Sequence, residues 1–246
     1  MKQLLQRLLA RPSRAGWDAV ADWCEASGHA FKRARDSDGF AVDARAPKAW
    51  RLEWGQRQRH YIQGHELRLR ADVGGMGGPQ MALLSRTLML ELEREVFEEF
   101  TEGVRTRADT ETPEEMRWLV MYPKLGSTAL QGLREHFGGV AKLPPMLTQW
   151  LDGPLAPALE KTATLWLRGG QPLVLVVQRN RLTLRCAMAK PNLERMQAMV
   201  ALFELALREL KRVNEHWQLT GGGDPSTQPS LWSRSALDAG ESELPS

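Results

Sequence analysis

The sequence predicts an α+β fold built as a tandem pseudo-repeat, each half a helix, a small mostly antiparallel sheet and a long C-terminal helix. Three observations carry this expectation. The stretch from Trp50 to Val96 recurs without a gap from Leu165 to Lys211, and 10 of the 47 columns are identical, among them Gly55/Gly170, Leu67/Leu182, Leu69/Leu184, Arg70/Arg185 and Leu92/Leu207. Within each copy, short alternating segments are followed by apolar residues at helical spacing. The composition, 42% hydrophobic and 26% charged over 246 residues, is that of an ordinary globular protein able to bury a sizeable core.

Residues 1–12 carry Leu4, Leu5, Leu8 and Leu9 on one side and Lys2, Arg7 and Arg11 on the other, a basic amphipathic helix expected to dock onto the body of the protein. It lacks the continuous apolar core and small-residue cleavage site of a secretory signal, and peripheral membrane contact would need a second anchor. Residues 13–105 form the first repeat. Ser13 to Ser27 reads as a capped helix with Trp17, Val20, Ala21 and Cys24 as its stripe, stopped by Gly28. Ala30–Arg35 and Phe40–Ala44 flank a turn-rich connection, and Trp50–Trp54 adds a strand. Arg57–Ile62 and His65–Ala71 then alternate about Gln63-Gly64, which predicts a two-residue hairpin. Gly74 to Pro79 is read as a flexible connector, since it matches neither phosphate-loop nor dinucleotide spacing. A helix over about Gln80–Glu102 follows, with Met81, Leu84, Leu88, Leu92 and Val96 on its buried side.

Residues 106–220 form the second repeat. Thr106–Glu115 is expected to be a loop, Met116–Tyr122 a strand, and Ser127–Phe137 a helix stopped by Gly138-Gly139. Short helices are expected over Met146–Leu159, then the second hairpin, buried on both sides, and a helix over about Asn192–Trp217. Residues 221–246, rich in Gly, Ser, Pro and acid, read as a disordered tail carrying Trp232. In layout each half resembles the small secretion-chaperone type of α/β module, with a closing hairpin and a long C-terminal helix. The resemblance is one of topology and rests on no diagnostic residue motif.

Charge alternates along the chain. Net charge is +6 over residues 1–70 (14 basic, 8 acidic), −5 over 71–125 (6 and 11), +5 over 126–220 (12 and 7) and −3 over 221–246 (1 and 4). Such a distribution favours packing between segments or docking with a partner over a uniformly basic nucleic-acid binder. Cys24 and Cys186 stand far from any CxxC or His/Cys zinc spacing and read as buried thiols, which fits a reducing cytoplasm. No apolar run reaches the length of a membrane span.

The candidate binding residues are Arg57, Arg59, Tyr61, Arg68 and Arg70. In the expected hairpin Arg59 faces Arg68 and Arg57 faces Arg70, so four arginines crowd one face, an arrangement that solvent, an internal acidic partner or a bound anion must offset. The internal candidates are Glu91, Glu93, Glu95, Glu98, Glu99 and Glu102 on the following helix. His60 and His65 are expected to be partly buried on the apolar face, with no third ligand at metal spacing. His136 and His216 lie outside any HExxH pattern, Ser85 and Ser127 outside GxSxG, and the glutamates read as helix surface. The expectation is therefore a non-catalytic, cytoplasmic protein-interaction or adaptor module without metal or cofactor, binding a protein partner or itself. The alternative is anion or single-stranded nucleic-acid binding by the first hairpin, with Tyr61, Trp50 and Trp54 available for stacking.

Overall fold

The computed structural model describes residues 15–35, 38–74, 78–101 and 112–219. The expected basic helix at 1–12, most of the link at 106–115 and the tail at 221–246 lie outside these residues.

Eight strands, β1 (Ala30–Arg33), β2 (Phe40–Asp43), β3 (Trp50–Gln56), β4 (His65–Asp72), β5 (Met81–Ser85), β6 (Phe137–Ala141), β7 (Leu173–Gln178) and β8 (Arg181–Ala187), form a single sheet. Its order is β1-β2-β3-β4-β8-β7-β5-β6, with every neighbouring pair antiparallel. The helices are α1 (Ala15–Ala26), α2 (Arg86–Thr101), α3 (Glu114–Met121), α4 (Ser127–Leu130), α5 (Pro144–Leu151), α6 (Leu155–Trp166) and α7 (Leu193–Leu219). The α+β class, the antiparallel sheet and the long C-terminal helix stand as expected.

Alternation decides which face each strand buries. Trp50, Leu52 and Trp54 of β3, Leu67, Leu69 and Ala71 of β4, and Leu182, Leu184 and Cys186 of β8 point to the first face. There they meet α1, α5, α6 and α7, whose Met196, Met199, Phe203, Ala206 and Leu210 lie along the sheet. The second face is covered over β5, β6 and β7 alone: Leu84, Val140, Val174 and Val176 pack under Leu88 and Leu92 of α2 and Met116, Trp118 and Leu119 of α3. β5 and β7 are thus buried on both faces, which is why they read as continuous apolar runs. Over β1–β4 and β8 the second face carries Lys32, Asp43, Arg51, Glu53, Glu66, Arg68, Arg70, Thr183 and Arg185; no described helix packs on it, but the loop 57–64 closes over its Glu66 and Arg185 end.

The tandem repeat is not what the architecture shows. β4 and β8 occupy corresponding columns and pair with each other about Leu69↔Leu184. Residues 86–96 and the matching 201–211 are both helical, but elsewhere the copies part. Met81–Ser85 is a strand, whereas the matching residues 196–200 lie inside α7, and the counterpart of Trp50–Trp54 ends α6 instead of forming a strand. β5 crosses to the far side of the sheet between β7 and β6, so an apolar run bounded by Pro79 is a two-sided buried strand. Such a short run fits helix and strand periodicity equally well.

Three other segments differ from expectation. Arg57–Ile62 is no strand: β3 runs on to Gln56 and pairs with β4 (Gln56↔His65, Glu53↔Arg68, Arg51↔Arg70), leaving residues 57–64 as a connecting loop. Met116–Tyr122 is mostly helical, because Pro113 with Glu114 and Glu115 makes a favourable helix start and Met116 and Leu119 fall on one face. Ser127–Phe137 breaks into α4 and a 3-10 turn at Gln131–Glu135, and Gly138-Gly139 belongs to β6 rather than stopping a helix. A Cβ at Gly138 would collide with the Met89 sulfur, and one at Gly139 would lie 2.9 Å from Leu147, so the glycines let helices approach both faces of this strand. The second hairpin does form, with Arg179 and Asn180 both at positive φ in its two-residue turn.

The sheet's two margins differ. The outer margin of β6 is engaged by the preceding segment, through Lys124 opposite Val140, the Leu125 N–H on the Gly139 carbonyl and the Ala141 N–H on the Pro123 carbonyl. No described residue pairs with the outer margin of β1.

Candidate functional site

The site is built by the register of β2, β3, β4 and β8 on the uncovered second face. Antiparallel pairing sets Asp43 opposite Arg51, Arg51 opposite Arg70, Glu53 opposite Arg68, and Arg68 opposite Arg185. Like charges thus stand directly across from each other twice, which destabilises a sheet unless something offsets them. Glu53 is the main offset. Its Oε1 accepts from Arg51 Nε at 2.6 Å and Arg70 Nη2 at 3.1 Å, and its Oε2 accepts from Arg68 Nη2. Asp43 takes Arg51 Nη1 at 2.9 Å and Lys32 Nζ at 3.1 Å. Four basic side chains, Lys32, Arg51, Arg68 and Arg70, therefore share two carboxylates.

Burial would raise the Glu53 carboxyl, but the hydrogen bonds from Arg68 and Arg51 and the charges of Arg68 and Arg70 outweigh it and bring the group down to about 2. Burial acts the same way on Asp43, and its contacts with Lys32 and Arg51 again win, so its pKa lies below the usual carboxylate value. Next to this cluster Glu66, almost fully buried, pairs with Arg185 and accepts the Gln58 N–H at 2.7 Å. On the face the balance is positive, with Lys32, Arg51, Arg68, Arg70 and Arg185 against Asp43, Glu53 and Glu66, and among the described residues the buried Arg68 Nε has no acceptor, which costs about 1–3 kcal/mol if left dry.

The loop 57–64 borders the face and ties it to α3. Glu115, 2% exposed, accepts Arg59 Nε at 2.7 Å and the Tyr61 hydroxyl at 2.5 Å. Burial, then the Glu115 charge, push the Tyr61 phenol well above its ordinary value. Burial alone would raise Glu115 itself, but the Arg59 charge and the two hydrogen bonds hold it below the usual range.

These positions correct the expected four-arginine hairpin face. Arg68 and Arg70 are on the sheet, where they meet Arg51 and Glu53. Arg57 donates to the carbonyls of His60 and Ile62 within its own loop, at 3.3 and 3.1 Å, while Arg59 and Tyr61 are spent on Glu115. Trp50 and Trp54 are buried on the opposite face, their indole N–H groups on Glu204 and the Met188 carbonyl, so neither can stack on a base there. The acidic partners are not the α2 glutamates: Glu95 holds His60 and Glu93 holds Lys124. His60 is half exposed rather than partly buried, whereas His65 stacks on Trp54 at 4.5 Å. The missed residues are Lys32, Asp43, Arg51, Glu53, Glu66 and Arg185. The signal for two of them was present, since Arg51 and Glu53 alternate with Trp50, Leu52 and Trp54 in the strongest strand pattern of the first half.

No protein-family model matches the chain, and no curated protein or solved structure matches it either.

Two depressions flank the cluster. One, about 380 Å³, is lined by Lys32, Arg33, Ala41, Arg51, Glu53, Gly55, Glu66 and Arg68. The other, about 530 Å³, is lined by Asp43, Ala49, Arg51, Arg70, Asp72 and Arg181. A third, about 590 Å³, lies apart on the first-face side among Trp23, His29, Lys48, Gln197 and Glu204 and is chemically poorer, because Glu204 is already held by Lys48 at 2.9 Å and Trp50 at 2.8 Å. Among the described residues no group of three His, Cys, Asp or Glu side chains is placed to hold a metal ion. No described helix is long and apolar enough to cross a membrane.

Proposed function

We propose that this chain is a non-catalytic binding module that engages a partner protein through the open second face around β1–β4. One observation carries the reading: on a broad sheet face with no described helix over it, four basic side chains share two carboxylates. One fact adds support, although the helices also leave Leu90 and Phe97 of α2 and Val120 and Met121 of α3 exposed. Asp43 and Glu53 are held ionised between arginines and lysine, a poor arrangement for proton transfer near neutral pH.

The test is capture from the native host by the wild-type chain and by Arg70→Glu, with the captured protein identified, purified and titrated against both. Arg70 is half-exposed and makes a single ion pair, so its reversal leaves the fold standing. Binding that falls at least about tenfold in the variant and weakens with salt supports the reading. A purified partner that binds both forms equally overturns it, and a nucleic acid recovered in place of a protein would establish phosphate binding instead.

A further inference from the structure

We propose that the depression at Gly55 is a carboxylate subsite filled by an acidic, extended segment of the partner protein. The inference rests on the uncovered face being the docking surface and names what is docked there.

The depression exists because residue 55 has no side chain. Glu53 and Gly55 share one row of β3 facing outward, and a Cβ at Gly55 would meet nothing nearer than the Gly39 Cα at 3.6 Å. Ala41 and Gly55 leave the floor low, and Lys32, Arg51 and Arg68 stand around it with Glu53 and Glu66, while the Arg33 guanidinium turns to the other face, onto Asp18 and the Trp17 ring. Both oxygens of each acid are already engaged: Glu53 by Arg51, Arg68 and Arg70, and Glu66 by Arg185 and the Gln58 N–H. The face as a whole sets five basic side chains, Lys32, Arg51, Arg68, Arg70 and Arg185, against three carboxylates, Asp43, Glu53 and Glu66. An incoming carboxylate supplies the missing negative charge beside Lys32, Arg51 and Arg68.

The geometry favours a peptide over a polynucleotide. The depression runs across four strands, matching an extended segment that presents one acidic side chain at a time. Glu53 and Glu66 in its wall oppose a highly charged phosphate backbone more than a single carboxylate. The two tryptophans of β3 lie on the other face, leaving no platform for bases.

The experiment is a fluorescence-anisotropy titration of the full chain with a labelled peptide of alternating Glu and Ser, its Gln-for-Glu counterpart, a labelled oligo-dT and inorganic phosphate as competitor. The variants are Gly55→Leu, which fills the depression without changing charge, Lys32→Ser, an exposed change at its rim, and Arg70→Glu, outside it. The expected result is binding of the Glu peptide and not the Gln peptide, weakened about tenfold or more by Gly55→Leu and several-fold by Lys32→Ser, with unchanged thermal midpoints. Loss in Arg70→Glu with full binding in Gly55→Leu and Lys32→Ser keeps the docking face and overturns the subsite. No binding of the Glu peptide, equal binding of the Gln peptide, tighter binding of oligo-dT, or full displacement by phosphate each overturns the carboxylate assignment. Should Gly55→Leu fail to fold, Lys32→Ser decides.

Discussion

Glu53 bears one negative charge among three arginines, and its chemistry fixes how the face responds to acid. Its carboxyl lies near 2 in the folded chain, below the ordinary 4.5. A depressed carboxyl stabilises the fold fully above the unfolded value, and that contribution is lost as pH falls through the folded value. Wild-type stability, measured by urea midpoint, is therefore expected to decline between about pH 5 and pH 2, and Glu53→Gln to decline less steeply over that range. At neutral pH Glu53→Gln leaves three guanidinium groups around a neutral amide and, with solvent screening the half-exposed Arg51 and Arg70, is expected to cost about 1–2 kcal/mol. An unchanged midpoint would show that solvent, not Glu53, offsets the arginines. The cysteines make a second residue-scale case. Burial raises the Cys24 thiol to about 11 and Cys186 to about 12, and neither forms a disulfide. A thiol reagent is expected to find neither in the native chain and both once urea is added, because the thiolate is the reacting species.

At the scale of elements, β2 and β3 approach closely at one point. A Cβ on Gly39 would lie 2.8 Å from the Trp54 carbonyl oxygen, a backbone atom that cannot swing away. Gly39→Ala is expected to loosen the β2–β3 pairing and lower stability by about 1–3 kcal/mol, visible as a lower chemical midpoint. The same strands show what could be read from sequence. α1, β1–β4, the second hairpin and α7 were legible, because Trp50/Leu52/Trp54 and Leu182/Leu184/Cys186 alternate cleanly and Met196/Met199/Phe203 keep helical spacing. Met81–Ser85 was not, since a strand covered on both faces loses its alternation. The site was half legible: Arg68 and Arg70 stood out, but assigning Arg57 and Arg59 to the facing strand hid Arg51 and Glu53, which hold that place. Sequence spacing alone also could not say that Asp43, two strands away, would reach Arg51.

For the whole molecule, the β4–β8 seam joins the N-terminal strands to the rest of the sheet with seven paired positions, and β5 carries the first half of the chain across to the far side. Both cores are thus shared by residues from both halves: Leu84, Leu88 and Leu92 pack with Val140, Val174 and Val176. Unfolding is expected to be a single transition, with tryptophan fluorescence and far-ultraviolet circular dichroism tracing the same curve in urea. Two separated curves would mean that the seam yields before either core.

The unequal margins of the sheet limit how copies of this chain could ever be joined by backbone pairing. With the β6 side already engaged by residues 123–125, a second molecule finds, among the described residues, a bare ladder at β1 alone. Head-to-tail growth through the described strands needs two free ends, and one is missing. Strand-to-strand union through them is expected to be a two-fold pairing of like with like, which closes at two molecules and leaves no end from which a fibre could grow.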